Sequence, residues 1–71
     1  MKYTVIIEQT ENGFGAHVPD LPGCIAVAES REQVLRDIKQ AIELHIQALR
    51  AAGEPVPEPV SASTVIEIDA A

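Results

Sequence analysis

The sequence predicts an α+β fold in the order β-β-β-α-β, a four-stranded mixed sheet with one long helix on one face. Three observations predict it. Short runs alternate apolar and polar residues with period 2, rich in Val and Ile, before residue 29 and after residue 63. Turn-forming residues separate the early runs. Between residues 30 and 53 a single apolar arc repeats at helical period, with a start signal and a stop signal at its ends.

Residues 3–9 read as the first strand. Tyr3, Val5 and Ile7 alternate with Thr4, Ile6 and Glu8, and these residue types suit a pleated, half-buried surface. Asn12-Gly13 after Glu11 signals a hairpin, because both residues tolerate positive φ. Residues 14–18 return as the second strand, with Phe14, Ala16 and Val18 on one face and Gly15 and His17 on the other. Pro19-Asp20-Leu21-Pro22-Gly23 then breaks the ladder, since proline donates no backbone hydrogen bond and Gly23 can turn. Residues 24–28 resume as a short third strand.

Ser30 opens the helix. Its hydroxyl can accept from the amide of Gln33 while the Gln33 side chain reaches back, a reciprocal capping box. Glu29 and Glu32 complement the positive end of the helix dipole, and Glu32 and Arg36 form an i,i+4 pair. Val34, Leu35, Ile38, Ala41, Ile42, His45, Ile46, Leu49 and Ala52 share one arc. Gly53 is a left-handed stop and Pro55 prevents a restart. At about 1.5 Å per residue a helix over residues 31–52 spans about 33 Å, against roughly 17–23 Å for the strands. Its last turns should therefore overhang the sheet with Ile46 and Leu49. Residues 54–60 read as a proline-stiffened connector. Residues 64–69 alternate again and read as a fourth strand with Ile66 and Ile68 inward. A right-handed crossover places that strand parallel to the first, in the spatial order 3-2-1-4. One helix covers one face. The other should show Thr4, Ile6, Glu8, Gly15, His17, Ala26, Ala28, Val65 and Glu67, a candidate interaction surface.

A chain of 71 residues makes one domain, residues 1–71. Domains this small often need a staple or a partner. Cys24 is the single cysteine, so no internal disulfide forms, and His17, Cys24 and His45 lack the paired spacing of a metal site. Oligomerisation, at least to a homodimer, is the expected support, with Ile46 and Leu49 at the interface. The net charge is −6, and the five basic residues, Lys2, Arg31, Arg36, Lys39 and Arg50, are scattered. That balance argues against direct nucleic-acid binding by this chain alone, which needs clustered Lys and Arg. No apolar run spans a membrane, and no signal-peptide core follows Met1, so a cytoplasmic protein is expected. No catalytic constellation appears. His17 and Cys24 flank one turn, as any hairpin arranges, and no third group or Gly-rich loop completes a nucleophilic site. The acidic residues show no Mg²⁺-binding spacing, so no enzyme, metal or cofactor is expected. Cys24 and His45 read as packing residues.

These residues together carry a resemblance. The strand Tyr3-Thr4-Val5-Ile6-Ile7-Glu8 precedes Gly13-Phe14-Gly15-Ala16. Then come Val18-Pro19-Asp20-Leu21-Pro22-Gly23-Cys24, Glu29-Ser30-x-Glu32, Ala41-Ile42-Glu43-Leu44 and Gly53-Glu54-x-Val56-Pro57. The pattern resembles the HicB family of antitoxins over about residues 3–60, most specifically over residues 18–24. Ala28 stands where the family usually has glycine, and Val34 where it usually has alanine. The resemblance implies a partial RNase H-like fold without RNase activity. It also implies a partner, a HicA-like toxin, which is a small basic mRNA-cleaving RNase that the antitoxin blocks. The C-terminal DNA-binding unit that many HicB proteins carry is not expected here, since residues 1–71 hold no room for it. A basic active site is best covered by acidic and acceptor groups beside a rigid anchor. The hairpin end and the proline turn offer Glu11, Asn12, Asp20 and Leu21, with His17 on the open face beside them. A second reading is a stand-alone homo-oligomeric scaffold or binding module with no toxin. The neighbouring reading frame discriminates the two.

Overall fold

The computed structural model describes residues 1–70. Its elements are β1 (Ile6–Thr10), β2 (Gly13–His17), β3 (Ile25–Ala28) and α1 (Arg31–Ala51). The strands form an antiparallel sheet in the order β1-β2-β3, with α1 across one face. The first three strands and the helix thus follow the expected order.

The fourth strand does not form. Residues 64–69 join no ladder, and Val65, Ile66 and Ile68 are 96%, 71% and 73% exposed. The expected mixed sheet, the order 3-2-1-4 and the RNase H-like arrangement give way to a three-stranded antiparallel sheet. The reason lies in the helix. α1 packs on β2 and β3 and makes no close approach to β1. A strand laid outside β1 would lie farther still from the helix, with less apolar surface to meet. Alternation marks side chains that could share a buried face, and it needs a face to share.

Both turns differ in detail from the sequence reading. Thr10 pairs with Gly13, so the hairpin loop is Glu11-Asn12. Among the described residues none other than glycine has positive φ, so the loop is not the primed turn that Asn-Gly signals. Gly13 is extended and belongs to β2. It must be glycine because a Cβ there would overlap the backbone carbonyl oxygen of Ala28. The proline turn is closed by three backbone bonds: the Val18 amide donates to Cys24 (3.2 Å), the Leu21 amide to Val18 (3.0 Å) and the Cys24 amide to Leu21 (3.0 Å). Gly23, at φ 85°, supplies the left-handed residue. This closure sets the register of β3, with Ala26 opposite Ala16 and Ala28 opposite Phe14. Ala26 and Ala28 therefore face the helix, and Ile25 and Val27 take the open face instead. The expected face assignment of β3 was off by one residue, which flips every side chain.

The core is Ala16, Val18, Leu21, Cys24, Val34 and Ile38, all buried, with Tyr3, Val5, Ile7, Phe14, Ala26, Ala28, Ala41 and Ile42 packed around it. Ser30 caps α1, accepting from the Gln33 amide at 3.1 Å. The reciprocal half of the box is absent. The Gln33 side chain donates to Asp37 (2.7 Å) and accepts from Arg36 (2.9 Å) instead. The Glu32–Arg36 pair forms at 3.3 Å. At the far end Gly53, at φ 71°, donates to the Arg50 carbonyl (3.1 Å) and Glu54 to the Leu49 carbonyl (2.9 Å). That is the paired closure that a left-handed glycine permits.

Residues 55–70 have no regular structure. They are tied to the body as far as Ser61. The Tyr3 hydroxyl donates to the Pro57 carbonyl, and Thr4 Oγ1 donates to the Ser61 carbonyl at 2.7 Å. The Ser61 amide and hydroxyl both donate to the Asp20 carboxylate, each at 2.8 Å. Beyond Ser61 every described residue is exposed, and the molecule is drawn out to 52 × 27 × 16 Å.

Candidate protein-interaction site

The sheet face opposite α1 carries exposed apolar side chains of the strands. The register aligns Ile6 with His17 and Ile25, and Glu8 with Gly15 and Val27. These residues share one face because alternate residues of paired strands point the same way. Ile25 and Val27 are 66% and 75% exposed, side by side on the edge strand β3. Gly15, with no side chain, leaves a shallow floor between them and β1. His17 Nδ1 lies 4.0 Å from Glu8 Oε1, so the imidazole and the carboxylate share this face. The arrangement is an apolar edge at Ile25 and Val27, a centre of Gly15 and His17, and an acidic residue, Glu8, on the far strand. Burying Ile25 and Val27 under a partner would contribute about 1.5–3 kcal/mol each.

Of the residues expected at a partner contact, Glu11 and Asn12 are exposed at the hairpin tip and His17 is exposed on the open face. Asp20 and Leu21 are placed differently. Leu21 is 1% exposed and belongs to the core, so no partner reaches it in this conformation. Asp20 is half-buried, and both its carboxylate oxygens accept from Ser61. Those Ser61 bonds, backbone first, hold its pKa below the ordinary carboxylate value. Leu21 and Asp20 clasp the turn from within, while Pro19, Pro22 and Gly23 of the same turn are exposed. Ile25 and Val27 were missed by the sequence reading. The available signal was the seven-residue span from Val18 to Cys24, which pairs those two residues and so fixes the parity of β3.

Ile46 and Leu49, expected at an oligomer contact, are both half-buried. Ile46 lines a groove of about 350 Å³ together with Met1, Tyr3, Ile42, Glu43, Gln47 and Arg50. The groove lies between the chain that enters β1 and the C-terminal half of α1. Cys24 is buried, which pushes its thiol pKa up and disfavours the thiolate. Among the described residues no group of three or more His, Cys, Asp or Glu side chains could hold a metal ion. No helix among them is long and apolar enough to cross a membrane.

Comparison with known proteins agrees with this geometry. The family model described as a HicB-like antitoxin of a bacterial toxin–antitoxin system matches residues 3–70. A UPF0150 protein of Thermoplasma acidophilum is 41% identical over 58 residues, covering 80% of this chain and 84% of that protein. A UPF0150 protein of Helicobacter pylori is 47% identical over 51 residues, covering 72% of this chain and 71% of that protein. Among solved structures, a chain of a HicA3 and HicB3 toxin–antitoxin complex superposes with a TM-score of 0.72 at 30% identity. That match covers 84% of this chain and 70% of the other.

Proposed function

The chain belongs to the HicB-like antitoxin family of bacterial toxin–antitoxin systems, and from that premise we propose that it binds and inhibits a small basic HicA-like RNase that cleaves mRNA. The observation that carries the reading is the likeness to a chain of a toxin–antitoxin complex over most of this fold. The net charge of −6 favours a basic partner. The proposed contact is the open sheet face, with Ile25 and Val27 as apolar anchors and Glu11, Asn12 and His17 around them. Leu21 supports the sheet from the core, and Asp20 ties Ser61 to the proline turn. The chain itself performs no catalysis in this reading and acts in the cytoplasm, as at least a homodimer.

The test begins at the neighbouring reading frame, where this reading expects a small basic protein. Expressed together, the two should co-purify, and the isolated complex should leave an mRNA substrate intact that the basic protein alone cleaves. Undiminished cleavage at saturating amounts of this chain would remove the antitoxin reading and favour a binding module with another partner.

A further inference from the structure

The free edge of β3 is built from Ile25, Ala26, Val27 and Ala28 and carries no charge, no proline and no bulge, the usual means of keeping an edge strand from pairing. The opposite edge is treated differently. β1 exposes Glu8, Gln9 and Thr10, and the chain entering it is tied through Tyr3 and Thr4 to Pro57 and Ser61. We propose that β3 pairs with β3 of a second copy, antiparallel about a twofold axis at Ala26, so that the two three-stranded sheets become one continuous sheet.

The register shows which way the β3 backbone points. The Val18 amide donates to the Cys24 carbonyl, so those two residues are a hydrogen-bonded pair. Such pairs alternate along an antiparallel ladder, which makes Ala16–Ala26 and Phe14–Ala28 the bonded pairs of β2 and β3. Ile25 and Val27 therefore turn their amides and carbonyls away from β2, onto the free edge. Among the described residues no backbone group bonds to them there. The same two residues hold exposed side chains on the open face.

These two residues complement each other. With the axis at Ala26, Ile25 stands opposite Val27 of the second copy, and Val27 opposite Ile25 of the second copy. Each such pair exchanges two backbone bonds, so every outward amide and carbonyl of both residues is satisfied. The β-branched side chains then form adjacent cross-strand pairs on the open face. On the helix side the axis residue brings only a methyl group. Residues 21–28 carry no charge, so two copies of a chain with net charge −6 meet here without opposing carboxylates, and Glu29 falls opposite Gly23 of the second copy. A basic partner would instead seek a carboxylate, and on this face Glu8 stands on the far strand. The helix agrees. Glu43, Gln47 and Arg50 line the groove with Met1 and Tyr3, on the β1 side of α1. At about 100° per residue, Ala41, Leu44 and Ala48 fall on the opposite flank, toward β3, and Leu44 is exposed there. The twofold axis turns these uncharged flanks of the two helices toward each other on one side of the joined sheet.

This inference rests on the dimer part of the proposed function and deepens it, without the toxin. The full chain should sediment at equilibrium with twice the chain mass at roughly 100 µM. In that sample the Ile25 and Val27 amides should exchange slowly with deuterium, and faster on dilution, although neither is bonded within its own chain. Val27→Pro deletes an outward amide and no bond to β2. It should keep the circular dichroism of the fold and weaken the dimer at least about tenfold. The exchange measurement needs no variant and decides the case if that one fails to fold. A folded Val27→Pro variant with an undiminished dimer, or a wild-type dimer whose Ile25 and Val27 amides exchange at once, would overturn the edge pairing and leave the dimer to another face. A wild-type monomer would overturn both, and protected Ile25 and Val27 amides in that monomer would assign the edge to residues 64–69 of the same chain. None of these measurements contains an RNase, so the antitoxin reading stands or falls separately.

Discussion

Asp20 shows how a single carboxylate can organise a distant part of the chain. It sits in the proline turn and holds Ser61, 41 positions later, through two bonds. Its pKa is lowered in the fold, so the unfolded chain binds a proton more readily. The stability it contributes is present above its unfolded value and is lost as pH falls through its folded one. The Ser61 amide resonance should therefore shift only in acid, below the ordinary carboxylate range, and Asp20→Asn should abolish that titration. Leu21→Ala should destabilise the fold by about 2–5 kcal/mol, read by thermal unfolding, because its side chain is fully enclosed. Cys24 should resist thiol alkylation at neutral pH until denaturant is added, since it is buried and its thiolate is disfavoured. The sequence located this turn but not the direction of its side chains. Asp20 and Leu21 read as presented groups because nothing local reveals that Ser61 returns to meet them or that Leu21 folds under its own proline turn.

At the level of elements, the helix was the most legible part. Its start at Ser30, its stop at Gly53 and the Glu32–Arg36 pair all stand as the residue spacing predicts. Ser30→Ala should lower stability by about 1 kcal/mol, measured by denaturant unfolding, because the hydroxyl is the cap and Gln33 offers no reciprocal bond. The strands were legible in number for the first three and in position to within about three residues, but not in parity for β3. Parity depends on how many residues the Val18–Cys24 closure consumes, and proline and glycine content says only that a turn exists. Gly13 carries a similar lesson. It reads as a turn residue, but its structural demand is close backbone approach to Ala28 across the sheet. The expected fourth strand failed for a tertiary reason, the off-centre seat of α1, which no local pattern encodes.

For the whole molecule, the two faces of the sheet divide the labour. One is sealed by α1 through small residues, Ala16, Ala26 and Ala28, and the other displays Ile25 and Val27. Val27→Lys should leave the melting temperature within a few degrees, as surface changes usually do, and should weaken inhibition of a basic RNase at least about tenfold. Unchanged inhibition by the folded variant would move the contact off this face. The seat of the helix has a kinetic consequence as well. β2 is bonded on both sides and lies beneath α1, β3 has the helix but one neighbour, and β1 has one neighbour and lies farther from the helix backbone, with Ile7 packed on the core. Local opening should follow that ranking, so deuterium should enter β1 amides first and β2 amides last. A ligand lodged along β1 would slow the fastest set, and one lodged on Ile25 and Val27 would slow β3. The order in which the strands take up deuterium thus reports which edge of the sheet is occupied, without any label on the partner.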